Sequence, residues 1–292
     1  MNNYRIEHFD VLDSTNKYLI ERAENDHEAE GLVVIAGSQT SGRGRKGRSF
    51  FSPSGSGCYM SLLLRPELPL PSAALITPLA AVAVCRAIEG CTGLAPGIKW
   101  VNDIVLPEKQ VHPGVISASG EGEDSEKRIS ADIAKAAGSE AQPLPSYGGK
   151  VCGILTESAA SPDMKLSWLV LGIGINLCPP ENGFPEDLKT AAALFDRVPG
   201  PETGTIIAER VLKEFRPLYE GLEKDPENRD FLEEYKRRSA VLGREITVHR
   251  PGSPVLSAKA IDIDNDCRLI VRYDNGKVEA LNSGEISIRP AP

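Results

Sequence analysis

Apolar residues along this chain follow two rhythms. Short runs at 32–36, 58–64, 151–157 and 166–171 predict strands, the first of them, bounded by Gly31 and Gly37, a buried one. Helical spacing takes over at Tyr18, Leu19 and Ala23, with Asp13 or Ser14 upstream as an N-cap. Residues 72–89 are apolar around most of a helical circumference (Leu75, Leu79, Val82, Val84, Ile88), which predicts a buried helix that tolerates Pro78 near its first turns. Residues 98–106 read as strand, tight turn at Asn102-Asp103, and strand. Further helices are expected at 203–223, kinked by Pro217, and at 231–239. From Gly243 onward the pattern is short alternating strands separated by turns such as Asp274-Asn275-Gly276. The expected fold is α+β: a mixed or antiparallel sheet flanked by helices over residues 1–240, then a small antiparallel barrel over 241–292.

Residues 107–148 fit neither rhythm. They are polar and acidic, bracketed by glycine and proline, and predict a surface insertion in the larger domain.

Composition narrows the class. With 292 residues, 41% of them hydrophobic and 25% charged, the chain can bury a large core. The net charge of −8 opposes a general nucleic-acid binder, so no DNA partner is expected. No apolar run is read as reaching a membrane span and no signal peptide is seen, so the expectation is a cytoplasmic protein without a membrane partner. The six cysteines lie mostly in apolar segments without C-x-x-C spacing, which predicts reduced core thiols. No dedicated metal site is visible.

Against this acidic background, Gly42-Arg43-Gly44-Arg45-Lys46-Gly47-Arg48 is a positive island. Glycine lets backbone N–H groups approach an anion, and arginine forks grip phosphate or carboxylate oxygens in pairs. A basic run can equally be a solvated surface or an RNA contact, and by itself this loop does not decide. It differs from the Gly-x-x-x-x-Gly-Lys-Ser/Thr phosphate loop, because no Ser or Thr follows a Gly-Lys pair. Other candidates have ordinary readings too. Ser14 and Thr15 suit helix capping, Asn102-Asp103 suits a plain turn, and Lys150, entering a strand after two glycines, suits a solvated edge.

The order of motifs carries more than any one of them. Ser14-Thr15-Asn16, the Arg-Gly-Arg loop, Lys99-Trp100-Val101-Asn102-Asp103, Lys150-Val151-Cys152-Gly153-Ile154-Leu155-Thr156-Glu157 and Gly172-Ile173-Gly174-Ile175-Asn176 follow one another, and Ser283-Gly284-Glu285 lies near the end. In this the chain resembles the biotin–protein ligases, in the monofunctional form without an N-terminal DNA-binding domain. The resemblance implies a class II synthetase-like catalytic domain and a C-terminal SH3-like barrel. It implies that biotin and ATP, with Mg2+ accompanying ATP, give biotinyl-5′-AMP, and that a lysine of a biotin carboxyl carrier protein then takes the biotinyl group. It assigns Lys150 and Arg43 to catalysis. Biotin would contact Ser14, Thr15, Asn16, Gln39, Gly42, Arg43, Gly44, Arg45 and Lys150. The adenylate would contact Arg45, Arg48, Phe50, Lys99, Trp100, Asn102, Asp103 and Asn176. Family members often pair through the edge of the catalytic sheet, so a homodimer is possible on this reading. The rivals are a lipoate- or octanoate-protein ligase of the same fold and a non-catalytic biotin or nucleotide sensor. The insertion before Lys150 departs from the family pattern; it is read as a passive surface insertion, with a part in carrier docking or dimer contacts as the alternative.

Overall fold

The computed structural model describes residues 4–25, 28–107, 147–161, 163, 165–282 and 287–290. Most of the 107–148 insertion and the Ser283-Gly284-Glu285 motif lie outside them.

Seven strands form the larger sheet in the order β1-β2-β3-β7-β6-β5-β4. They are β1 (Arg5–Leu12), β2 (Leu32–Gln39), β3 (Gly57–Leu64), β4 (Gly97–Lys99), β5 (Asp103–Pro107), β6 (Tyr147–Ala160) and β7 (Leu166–Asn176). β1 runs parallel to β2 and the other neighbours are antiparallel, so the sheet is mixed. The continuous apolar runs arise because helices cover both faces. On one face α1 (Thr15–Asn25) sets Leu19 and Ala23 against Leu32, Val34, Leu63, Trp168 and Val170. On the other lie α2 (Ala73–Thr92) and α3 (Thr203–Lys224), burying Val33, Met60, Leu62, Leu171 and Ile173. The strand period of two thus sends alternate residues of β2, β3 and β7 into two separate cores.

The span at Leu70–Thr92 corrects one expectation. It has a mean hydropathy of 1.6, long and apolar enough to cross a membrane, but 72% of its most apolar stretch is buried inside the protein. Its composition follows from that burial, as in the core helix of a globular domain.

After α4 (Asp230–Arg237) comes the second sheet, antiparallel throughout, in the order β11-β10-β9-β8-β12. Its strands are β8 (Glu245–His249), β9 (Leu256–Ile263), β10 (Leu269–Tyr273), β11 (Val278–Leu281) and β12 (Ser287–Pro290). Alternate side chains such as Ile246, Val248, Ala258, Ala260, Leu269 and Val271 face inward.

Candidate active site

The site lies on the α1 side of the large sheet, just beyond the helix N-terminus. There the strands turn from bulky residues to glycine. A Cβ on Gly172 would sit 2.1 Å from Asn16 Oδ1, one on Gly174 would sit 2.5 Å from Phe50 Cε1, and one on Gly153 would sit 3.0 Å from Phe50 Cε2. The floor is backbone because side chains packed on it leave no room for a β-carbon.

Helix α1 begins at the rim, and Ser14 Oγ accepts the Lys17 N–H at 3.4 Å, the capping role the sequence predicts. Ser14, Thr15 and Asn16 are all buried. Thr15 donates its N–H (2.9 Å) and hydroxyl (3.1 Å) to Gln39 Oε1, and Gln39 Nε2 donates to Ser52 Oγ at 2.9 Å. Ser61 Oγ lies 2.7 Å from Thr15 Oγ1 and 2.6 Å from Asn16 Oδ1. This largely buried polar chain is held in one arrangement by its internal hydrogen bonds.

The cationic loop connects β2 to β3 and folds on itself. The Gly44 N–H donates to Arg48 at 2.7 Å, and the Phe50 N–H to Gly42 at 2.8 Å. A β-carbon on Gly42 would meet the Phe50 carbonyl at 2.3 Å, so the close return of the loop requires glycine there. Lys46 and Gly47 take positive φ values of 59° and 71° at its tip. Arg43 Nη2 reaches Glu157 at 2.9 Å, and Arg45 Nη1 donates to Asn102 Oδ1 at 3.0 Å. Burial lowers the proton affinity of the Arg45 guanidinium, opposed by the nearby Asp103 carboxylate. It still stays charged, because arginine does not deprotonate in proteins.

Lys150 is not on an edge. β6 lies between β5 and β7, so the lysine projects from the interior of the sheet. Its Nζ stands 2.7 Å from Asp103 Oδ1 and 5.9 Å from the Phe50 ring centre. Asn176 donates to the Ala192 carbonyl at 2.9 Å and to the Lys150 carbonyl at 3.4 Å, anchoring the start of β6. Asn102 Nδ2 donates to the Ile154 carbonyl at 3.0 Å, which holds the Asn-Asp turn against the same strand.

Two hollows result. The inner one, about 50 Å³, is lined by Ser14, Thr15, Asn16, Gln39, Arg43 and the glycine floor. The outer cleft, about 800 Å³, is bordered by Arg48, Lys99, Trp100, Asp103 and Asn176, with the 184–191 segment as its far wall. Gly44, Arg45, Phe50, Asn102 and Lys150 line both. Trp100 touches the cleft with little of its surface, since its buried indole donates to the Cys267 carbonyl at 2.9 Å.

Every candidate from the sequence except Gly42 therefore borders one hollow or the other, and Gly42 shapes the loop between them. Glu157, Ser61, Ser52 and the glycine floor carry contacts to which the sequence reading gave no role. Glu157 was detectable only as the continuation of the ligand-face alternation Gly153, Leu155, Glu157. Nucleophilic thiol chemistry is disfavoured here, because burial pushes Cys58 up to about 12 and raises Cys152 well above the ordinary thiol range. No cluster of three or more His, Cys, Asp or Glu suited to a metal occurs among the described residues.

This arrangement falls within a known class of ligases. A family model described as the biotin/lipoate A/B protein ligase family matches residues 8–176, and one described as the biotin protein ligase C terminal domain matches 241–289. The chain belongs to the biotin/lipoate A/B protein ligase family. It is 36% identical over 191 residues to the bifunctional ligase/repressor BirA of Bacillus subtilis, a match covering 65% of this chain and 46% of that protein. The chain thus spans about half the length of that relative. It is 26% identical over 278 residues to the biotin–[acetyl-CoA-carboxylase] ligase of Mycobacterium tuberculosis, covering 94% of this chain and 85% of that one. Among solved structures, the biotin protein ligase of Aquifex aeolicus in complex with biotin and ATP shares the fold at a TM-score of 0.67, with 22% identity and both chains fully covered.

Proposed function

We propose that this protein is a biotin–protein ligase: it condenses biotin with ATP to biotinyl-5′-AMP and transfers the biotinyl group to a lysine of a biotin carboxyl carrier domain. The observation that supports this most directly is that an inner hollow with a fixed polar wall and an outer cationic cleft meet at Lys150 and Arg45. In the first step a carboxylate attacks the α-phosphorus of ATP and pyrophosphate leaves. Two anions must be brought together, so the barrier falls chiefly through charge neutralisation and alignment. On this reading Thr15 and Gln39 present hydrogen-bonding groups to the ureido ring, which rejects acids that cannot match them. Arg43 receives the carboxylate, and Lys150 bridges carboxylate and α-phosphate. Phe50 covers the adenine, and Arg45, Arg48, Lys99, Asn102 and Asp103 line the nucleotide side. Mg2+ enters with ATP as its counter-ion. The second step releases AMP as the carrier amine attacks the mixed anhydride. The curated relative from Mycobacterium tuberculosis, whose name specifies an acetyl-CoA carboxylase as acceptor, supports a carrier of that type.

The test is ATP–pyrophosphate exchange with biotin, with lipoate and with no acid. Exchange that needs biotin, and that falls by at least two orders of magnitude in Lys150→Ala, is expected for loss of a group acting in the transition state. Exchange with lipoate in preference to biotin would overturn the substrate assignment.

A further inference from the structure

Both cations that face the ligand carboxylate in this reading are already paired inside the protein. Lys150 stands against Asp103 at 2.7 Å, and Arg43 against Glu157 at 2.9 Å. The second pair has no part in the roles assigned above. Glu157 uses Oε1 for Arg43 and accepts the Asn16 side-chain N–H on Oε2 at 2.9 Å. Asn16 continues through Ser61 to Thr15. One carboxylate therefore ties the cationic loop to the polar wall of the inner hollow. The Glu157 side chain is 22% exposed and that of Arg43 45%, so water reaches the pair and it can open.

A guanidinium N–H held by a resident carboxylate is not free for another. An acid that takes the Nη2 face of Arg43 exchanges one carboxylate for another, with little electrostatic gain from the exchange itself. The net binding energy must then come from the rest of the ligand.

We propose that Glu157 is a positioning and specificity-determining residue: it is the resident counter-ion of Arg43, and only an acid that also engages the Thr15–Gln39 wall displaces it. The proposal rests on reading the inner hollow as a biotin site. It predicts that short alkanoates lacking the polar head group are excluded although a cationic loop faces them.

The experiment measures binding without ATP for biotin, its neutral carboxamide and pentanoate, on wild type and on Glu157→Gln. Glutamine keeps an acceptor for Asn16 and loses the charge. Biotin should bind Glu157→Gln roughly two- to fivefold tighter, the worth of a partly exposed ion pair. Pentanoate should become a measurable competitor, and affinity for the carboxamide should not change. Glu157→Asp retains the charge and should bind biotin like wild type. Biotin and carboxamide shifting together would mean a merely structural role and overturn the proposal. So would weaker biotin binding in Glu157→Gln, or equal tightening in Glu157→Asp. A wild type that binds neither biotin nor the carboxamide would instead refute the biotin reading of the hollow, and the inference with it.

Discussion

Gly172 and Gly174 sit two residues apart on β7, and each is hemmed in by one neighbouring side chain. For Gly174 the neighbour is Phe50, with ring atoms 2.5 and 2.7 Å from where a β-carbon would be. Gly174→Ala must displace the ring, an overpacking that costs about 1–3 kcal/mol. Thermal unfolding should register this loss, and nucleotide affinity should fall with it, because Phe50 borders both hollows. Gly204, in the first turn of α3, gives the contrast. A β-carbon there meets nothing nearer than 3.6 Å, so Gly204→Ala should be neutral or stabilise by up to about 1 kcal/mol. A melting temperature that dropped equally in both variants would count against the steric argument. Both glycines of β7 could be picked out in the sequence as part of a motif. Their task could not, because it depends on which side chains the fold brings over the strand.

Between elements, the fixed point is Glu234 on α4. Its carboxylate accepts from Arg86 of α2 at 2.5 and 3.0 Å and from Arg238 at 2.8 Å, and Arg238 also reaches Glu89 of α2 at 2.6 Å. Burial alone would raise the Glu234 carboxyl, but the hydrogen bonds and charges of Arg86 and Arg238 outweigh it and hold it below the ordinary glutamate range. A depressed carboxyl contributes stability above its unfolded value and loses it as the pH falls through the folded value. Glu234→Gln should therefore cost about 2–4 kcal/mol near neutrality, where it takes the carboxylate from Arg86 and leaves Arg238 with Glu89 alone. The gap to wild type should narrow as the pH falls below the ordinary carboxylate range. Denaturant titrations at neutral and acidic pH check both statements, and a gap that widened in acid would refute them. Helices and strands were legible at this scale because their apolar periods are strong. The neighbours of a strand were not: β5 and β7 flank β6 from both directions along the chain, so Lys150 could be taken for an edge residue. The helix over 72–89 was legible as a buried one, although its length and composition are also those of a helix in lipid.

Across the whole molecule, the two sheets are joined where the outer cleft is built. The Trp100 indole donates to the Cys267 carbonyl, Tyr235 donates its hydroxyl to the Val101 carbonyl at 3.1 Å, and Ile98 exchanges backbone bonds of 2.7 Å with Arg238 and Ala240. A single apolar core runs through the junction, from Ile98 and Trp100 to Ile246, Val248 and Cys267. The turn so fixed carries Asn102 and Asp103, which in turn hold Arg45 and Lys150. The sequence separates the two sheets by their differing rhythms and makes the terminal one look like an appendage. It conceals the junction because a tryptophan before an Asn-Asp turn reads locally as part of the ligand corner. Trp100→Phe tests the difference. It keeps an aromatic side chain beside the cleft and leaves the buried Cys267 carbonyl without its donor, a loss of about 1–3 kcal/mol. If the junction positions the nucleotide side, the KM for ATP should rise several-fold while biotin affinity measured without ATP stays at the wild-type value. If Trp100 serves only as a wall of the cleft, the aromatic replacement should leave the KM for ATP near wild type and the stability within about 0.5 kcal/mol. Steady-state exchange kinetics and a melting curve on the same preparation separate the two, because only the junction couples a weakened second sheet to a weakened grip on ATP.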